Sequence, residues 1–412
     1  ALSVLSFFLS ALSKETSATL PLLIVGYDLA RKRSIGGRDV LRYAPYAAAG
    51  AVYIVLRLNA LHGMAPRGRM HPYLDASQYA LNAFPLFIEY LKTLVYPVRL
   101  IQFHIFDPVY SITEPRAYGA VILTLLFLFV AWRLSRRSRT CLMAFIFFVV
   151  PLLPVFYIPG LARNTFAERY LYVPSVGFVL LIALAVRWLV ARAGPSKGLL
   201  GAVAAVFVIV VSACAYGTVT RSREWKDEFT LWNSIVRKYP DHYYGLSEAG
   251  TVLNRNGDPR GAIPFLEKSV RLNAARRYPE PMTLVHARHE LADAYFNLGL
   301  LARAAPLYRE VLDTDPGRFG ANYNLAVIYR KSGRYDEAIA LFSRAIETAK
   351  KPVDRKDAYL ALGNVYAGLG RWERAVRNYR SALALSPDDA AVLNNLAVVE
   401  GRMKRAAPSG LP

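Results

Sequence analysis

The chain has 412 residues, is 54% hydrophobic and carries a net charge of +21, with a mean hydropathy of +0.23. Soluble globular domains are about 45–50% apolar, and here the excess lies before about residue 217, so a composition shift marks a domain boundary there. Residues 1–220 carry +13 and the remainder +8; the basic residues gather in short loops between apolar runs, as in membrane proteins, and no nucleic-acid-binding motif accompanies them.

In chain order, residues 1–12 read as the tail of a helix whose earlier part is missing, with no basic n-region of a signal peptide. Residues 43–61, 117–133, 140–158, 172–191 and 198–217 are predicted spans, each near the ~20 apolar residues a bilayer requires, and 16–30 is a shorter apolar one. The stretch 83–98 contains Pro85, Glu89 and Lys92 and reads as interfacial or re-entrant. Three loops are basic: 31–42 (Arg31, Lys32, Arg33, Arg38, Arg42), 133–139 (Arg133, Arg136, Arg137, Arg139) and the loop with Arg192 and Lys197. Placing all three in the cytoplasm puts 62–116, 159–170 and everything after 217 on the outer side. Cys141 and Cys214 lie in apolar runs and imply neither a disulfide framework nor a metal cluster.

The polar half repeats itself. Ala292, Ala326, Gly363 and Ala397 recur at spacings of 34, 37 and 34 residues. Tyr295, Tyr329 and Tyr366 follow three later, and Gly299, Gly333 and Gly370 mark a turn. Ala304, Ala338 and Ala375 come next, then Tyr308, Phe342 and Tyr379, with Pro316 and Pro387 closing two units. A looser unit has Gly250, Gly257 and Ala262, an insertion falls around 276–281, and the unit from Ala390 has one helix that caps the stack. This is the pattern of tetratricopeptide (TPR) repeats, paired antiparallel helices meeting at small and aromatic residues. Asn324 and Asn395 sit two residues before the marker, where some TPR proteins present an asparagine ladder to a peptide; Glu290 and Ala361 break that ladder. The plain alternative is a polar helix surface.

Ionisable residues at the edge of spans are costly and point to function. Lys14 and Glu15 lie between two apolar runs, either snorkelling to the interface or binding an anionic lipid carrier. Arg163, Glu168 and Arg169, followed by Tyr170 and Tyr172, lie at the mouth of a span. There an arginine can fork onto a phosphate, or the group can form an aromatic belt with a surface ion pair. The residues Asp75, Asp107 and Glu114 match no motif, and His62, His71 and His104 are scattered; no Gly-rich phosphate loop, metal-ligand cluster or Ser/His/Asp signature is found.

The segments SKE…LPLL…YDL and AERYLYVPSVGF, followed by WKDEFTLW (225–232) and the repeats, resemble the transmembrane-and-TPR O-mannosyltransferase family and its bacterial relatives. That resemblance implies an all-α chain: a polytopic, partial GT-C-like membrane domain over 1–217 and a TPR α-solenoid over 222–412, of about four repeats and a capping helix. It implies a polyprenyl-phosphate-linked sugar as donor, no certain cofactor, a bacterial inner or ER-like membrane, and extracytoplasmic TPRs. The catalytic carboxylate of GT-C enzymes is expected in a first outer loop, upstream of Ala1, so the catalytic residue is unknown. Lys14, Glu15, Arg163, Glu168 and Arg169 are the expected substrate-binding residues, and Asn324 and Asn395 the expected peptide-binding ones. The partners expected are the bilayer, the lipid-linked sugar and a protein or peptide on the TPRs, with no nucleic acid and no metal. The competing readings are a non-catalytic membrane-anchored TPR scaffold for envelope assembly and an enzyme like an O-antigen ligase.

Overall fold

The computed structural model describes residues 2–32, 36–61, 73–98, 100–158, 165–194 and 196–406, and every regular element among them is a helix. The chain divides into two compact units, Ala1–Ser222 and Arg223–Pro412.

The first unit comprises α1 (Leu2–Ser13), α2 (Leu20–Arg31), α3 (Gly37–Leu61), α4 (Ala76–Val95), α5 (Pro115–Arg137), α6 (Arg139–Val149), α7 (Tyr172–Ala193) and α8 (Lys197–Ser222). Four helical stretches are long and apolar enough to cross a membrane: Pro115–Arg137, Arg139–Phe156, Glu168–Ala193 and Lys197–Trp225. The last four predicted spans coincide with these. The predicted spans 16–30 and 43–61 do not. In the first, α2 is 12 residues long and follows a 3-10 turn over Glu15–Thr19. In the second, α3 is 25 residues long, but Tyr43, Pro45, Tyr46, Tyr53, Arg57 and Asn59 make 43–61 less apolar. The second of the four is composite. Pro151 and Pro154 have no N–H to continue an α-helix, so α6 runs on as a 3-10 turn over Val150–Phe156.

The core of this unit joins Leu86, Phe87 and Tyr90 of α4 to Phe148, Leu152 and Val155 and to Phe166, Tyr170 and Leu171. Phe87 meets Phe127, Phe148 and Phe156 edge-on, at centroid distances of 5.1, 6.1 and 6.1 Å, a preferred aromatic geometry. Asn82, fully buried on α4, accepts from Val109 N–H and donates to Val109 C=O. It thereby fastens the extended segment before α5 to the core. Asp75 caps α4 in a capping box with Gln78, and Glu114 accepts from the N–H groups of Tyr110 and Ser111 at the start of α5. These two carboxylates are local fasteners.

The second unit comprises α9 (Glu228–Lys238), α10 (Tyr243–Arg255), α11 (Pro259–Ala274), α12 (Pro281–Asn297), α13 (Leu301–Thr314), α14 (Phe319–Lys331), α15 (Tyr335–Thr348), α16 (Pro352–Gly368), α17 (Trp372–Leu385) and α18 (Ala390–Ala406). Helices α10 to α17 form four antiparallel pairs. The sequence WKDEFTLW leads into α9, which Asp227 caps and which buries Trp232 and Ile235 against the first pair. Each pair turns on a glycine in the left-handed region: Gly257, Gly299, Gly333 and Gly370, with φ of 81, 74, 76 and 69°. The following N–H reaches back to the marker tyrosine's carbonyl, Leu300 to Tyr295 and Arg334 to Tyr329 at 2.8 and 2.9 Å. This satisfies the helix end as a left-handed C-terminal residue does elsewhere. Ala292, Ala304, Tyr308, Ala326, Ala338 and Phe342 are all fully buried in one continuous core.

Candidate functional site

The segment that carries the family resemblance is the hub of the membrane unit's core. Thr165, Phe166, Ala167, Tyr170 and Leu171 are all buried. The Tyr90 ring meets Phe166 at a tilt, with centroids 4.6 Å apart, and its hydroxyl accepts from Ala167 N–H. Residues Glu168–Leu171 form a 3-10 turn that runs directly into α7. Such a turn sends neighbouring side chains in different directions, so Tyr170 and Leu171 go inward while Arg169 stays exposed.

Arg169 and Lys14, two predicted substrate-binding residues far apart in sequence, line one cavity of about 330 Å³. Its walls include Ser10, Ser17, Thr19 and Leu20 on one side and Pro151, Tyr170 and Tyr172 on the other. Ser10 Oγ donates to Ser17 Oγ at 2.6 Å, closing the turn that holds Lys14. The Arg169 guanidinium lies over the Tyr170 ring at 5.3 Å, which restrains it through a cation–π contact. Among the described residues no carboxylate lines the cavity or pairs with either cation. Tyr172 and Val173, the first residues of α7, also line it. The arrangement suits an anion with an apolar attachment.

The other predicted residues are placed differently. The Glu168 carboxylate is committed away from the cavity: it accepts from Ile101 N–H at 2.8 Å, lies 3.1 Å from His104 Nε2 and pairs with Arg221 at 2.7 Å. It ties the segment before α5 to the end of α8. Sequence reading left His104 as a loop residue and missed Arg221, because both are distant in the chain and no motif links them. Arg163, His62 and His71 lie outside the described residues, as does the side chain of Glu15.

In the TPR unit, Asn324 donates to Asp293 Oδ1 and to the Tyr308 hydroxyl, both at 3.0 Å. Tyr308 in turn donates to Asp293 Oδ1. Asn395 donates to Asn364 Oδ1 at 3.0 Å, which also accepts from Tyr379 O–H at 2.8 Å. The two asparagines therefore clasp successive repeats together. The break in the ladder at Ala361 has the same origin: the equivalent aromatic is Phe342, which offers no hydroxyl, and the residue after Ala326 is Val327. Burial raises the Asp293 carboxyl above the usual carboxylate range and pushes the Tyr308 hydroxyl well up.

A helical membrane unit followed by paired repeat helices defines a membrane-anchored TPR protein, and the comparisons agree. Residues 284–314 and 318–388 match family models described as tetratricopeptide repeat. The protein O-mannosyl-transferase TMTC3 of Mus musculus is 26% identical over 278 residues, which cover 65% of this chain and 29% of that protein. The protein O-mannosyl-transferase Tmtc2 of Drosophila melanogaster is 26% identical over 310 residues, covering 62% and 31%. The solved TPR protein YrrB is 17% identical, covering 43% of this chain and 86% of that one with a TM-score of 0.35. This chain is thus similar in sequence to proteins named O-mannosyl-transferases and carries TPR repeats behind its apolar helices. It spans less than a third of the length of these two curated relatives.

Proposed function

We propose that the chain forms part of a membrane glycosyltransferase that takes its sugar from a polyprenyl-phosphate donor and passes it to a protein held by the TPRs. The observation that carries this reading is the cavity shared by Lys14 and Arg169. A lipid-linked donor enters from the bilayer with its phosphate at headgroup depth, where an unpaired charge is costly. Two cations at that depth, without a carboxylate partner among the described residues, stabilise the phosphate in the ground state and as a leaving group. The flanking Leu20, Leu23 and Val173 face the apolar chain. The acceptor hydroxyl needs a general base, which is not among the cavity's described residues, so the role assigned to this cavity is donor binding. The TPR matches support a protein or peptide partner.

The test measures binding apart from turnover. The chain in lipid nanodiscs is titrated with a polyprenyl phosphate, and transfer from a polyprenyl-phosphate sugar to protein is assayed in parallel. A charge-assisted hydrogen bond contributes about 1.5–3 kcal/mol, so Arg169→Ala should weaken binding by about tenfold or more. Arg169→Lys should lose most transfer, because an ammonium cannot copy the planar fork, and Lys14→Ala should weaken binding too. Unchanged binding and transfer in all three variants reduces these cations to interface anchors and favours the scaffold reading.

A further inference from the structure

Three side chains of α12 converge in a way the clasp between repeats does not require. His289, Glu290 and Asp293 bring one ligand atom each to within 4.8 Å of one another. His289 Nδ1 lies 3.3 Å from Asp293 Oδ2 and 3.9 Å from Glu290 Oε1. The three are largely enclosed, with side-chain exposures of 14, 17 and 25% for His289, Glu290 and Asp293.

Each carboxylate has one oxygen secured from outside the group and the other turned inward. Asp293 Oδ1 is held by Tyr308 and Asn324, and Glu290 Oε2 accepts from Asn254 Nδ2 at 3.3 Å. Outer donors of this kind orient carboxylates that ligate metals. The chain also contains its own control. The clasp two repeats later is built by Tyr379, Asn395 and Asn364, with an amide where Asp293 has an acid. The clasp therefore works without a charge, and the carboxylate at 293 is additional to it. The positions of His289 and Glu290 hold Tyr323 and Asn324 in the next repeat, and Leu360 and Ala361 in the one after. All three ligand types meet in one repeat only, and two enclosed carboxylates side by side repel unless a cation lies between them.

We infer that His289 Nδ1, Glu290 Oε1 and Asp293 Oδ2 form a three-ligand site for a divalent transition metal ion of the zinc class. Imidazole and carboxylate ligands bind zinc at about 2.0–2.2 Å; tetrahedral geometry at that length separates ligand atoms by about 3.4 Å. The His289–Asp293 edge already has this length, and the Glu290 edge closes by a small side-chain rotation. Three protein ligands leave a fourth position for water or for a partner's side chain. Calcium, which takes six to eight oxygens, is poorly served. The sequence reading had found no metal-ligand cluster. The signal was present in Asp293, four residues after His289 and three after Glu290, spacings that set its side chain beside both on the helix.

The test uses the untagged full chain in detergent, titrated with zinc in competition with a chromophoric chelator. One equivalent of zinc should bind. Asp293→Asn, which copies the chain's own Asn364 clasp, should keep the metal-free melting curve and lose zinc affinity at least tenfold. His289→Gln should do the same, and serves if Asp293→Asn does not fold. Zinc binding that is absent, or unchanged in a folded variant, overturns the site; calcium binding as tight as zinc overturns its metal class. None of these outcomes depends on the cavity at Arg169.

Discussion

Glu168 and Arg169 are adjacent, yet they are held differently. Glu168 is neutralised by Arg221 and by hydrogen bonds from the segment before α5, whereas Arg169 lies over the Tyr170 ring and has no carboxylate partner among the described residues. Removing the carboxylate would orphan Arg221 rather than the cavity. In the TPR unit a second pair makes the same point in water. Asp389 accepts from the N–H groups of Ala391 and Val392 at the start of α18 and from Lys356 at 2.8 Å. The Lys356 hydrogen bond, with those N–H groups, holds Asp389 below the usual carboxylate range. Lys356 is pushed up to about 12, by Asp357 first and Asp389 second. A depressed carboxylate stabilises fully above its unfolded value of about 3.9 and loses that contribution as pH falls through the folded value. Melting temperature followed from pH 7 to pH 3 should therefore fall less steeply in Asp389→Asn than in the parent. Parallel acid limbs would show that the pair adds nothing to stability. Lys356 gives the opposite sign, its contribution being present below about 10.4 and lost as pH rises through about 12.

At the scale of elements, the repeats were legible because their packing tolerates few residue types. A Cβ on Gly363 would lie 2.5 Å from Tyr379 Cε1, and one on Gly250 would lie 2.5 Å from Leu266 Cγ. Small residues at the crossing are a steric demand that sequence records directly. Gly363→Leu should overpack this crossing and cost about 1–3 kcal/mol, while Arg377→Ala, on the exposed face of α17, should stay within about 0.5 kcal/mol. Thermal melting of the 223–412 unit compares them, and equal effects would mean the repeat register is misplaced. The membrane unit was less legible. Proline splits Arg139–Phe156 into an α-helix and a 3-10 turn, and over the span predicted at 16–30 only the 12 residues of α2 are α-helical. The cavity was legible in part: Lys14 and Arg169 were singled out separately, but their meeting depends on folding. The asparagine ladder was visible as a pattern, whereas the contacts of Asn324 and Asn395 were not, because their partners Asp293, Tyr308 and Asn364 lie on other helices.

For the whole molecule, the question is which side of the membrane each part faces. Arg139 Nη1 donates to Arg31 C=O at 3.1 Å, so two of the basic loops lie at one end of the membrane unit. Helix α2 runs from the cavity at Leu20 to Arg31, which puts Lys14 and Arg169 at the other end. Helix α8 finishes where Arg221 meets Glu168, beside Arg169 in the chain. With basic loops cytoplasmic, we expect the cavity and residues after 222 on the outer side. A reporter active only outside the cytoplasm, fused after Pro412, should be active; activity of a cytoplasm-only reporter would reverse the orientation. The alternation of clasps has a consequence for the array. Joints fixed by directional hydrogen bonds at Asn324 and Asn395 flank one whose equivalent residues, Val327, Phe342 and Ala361, offer only non-directional apolar contact. The joint between α15 and α16 rests instead on apolar fit and on Arg355 Nη2 donating to Ala349 C=O at 2.9 Å, so neighbouring joints of one array are held by different forces.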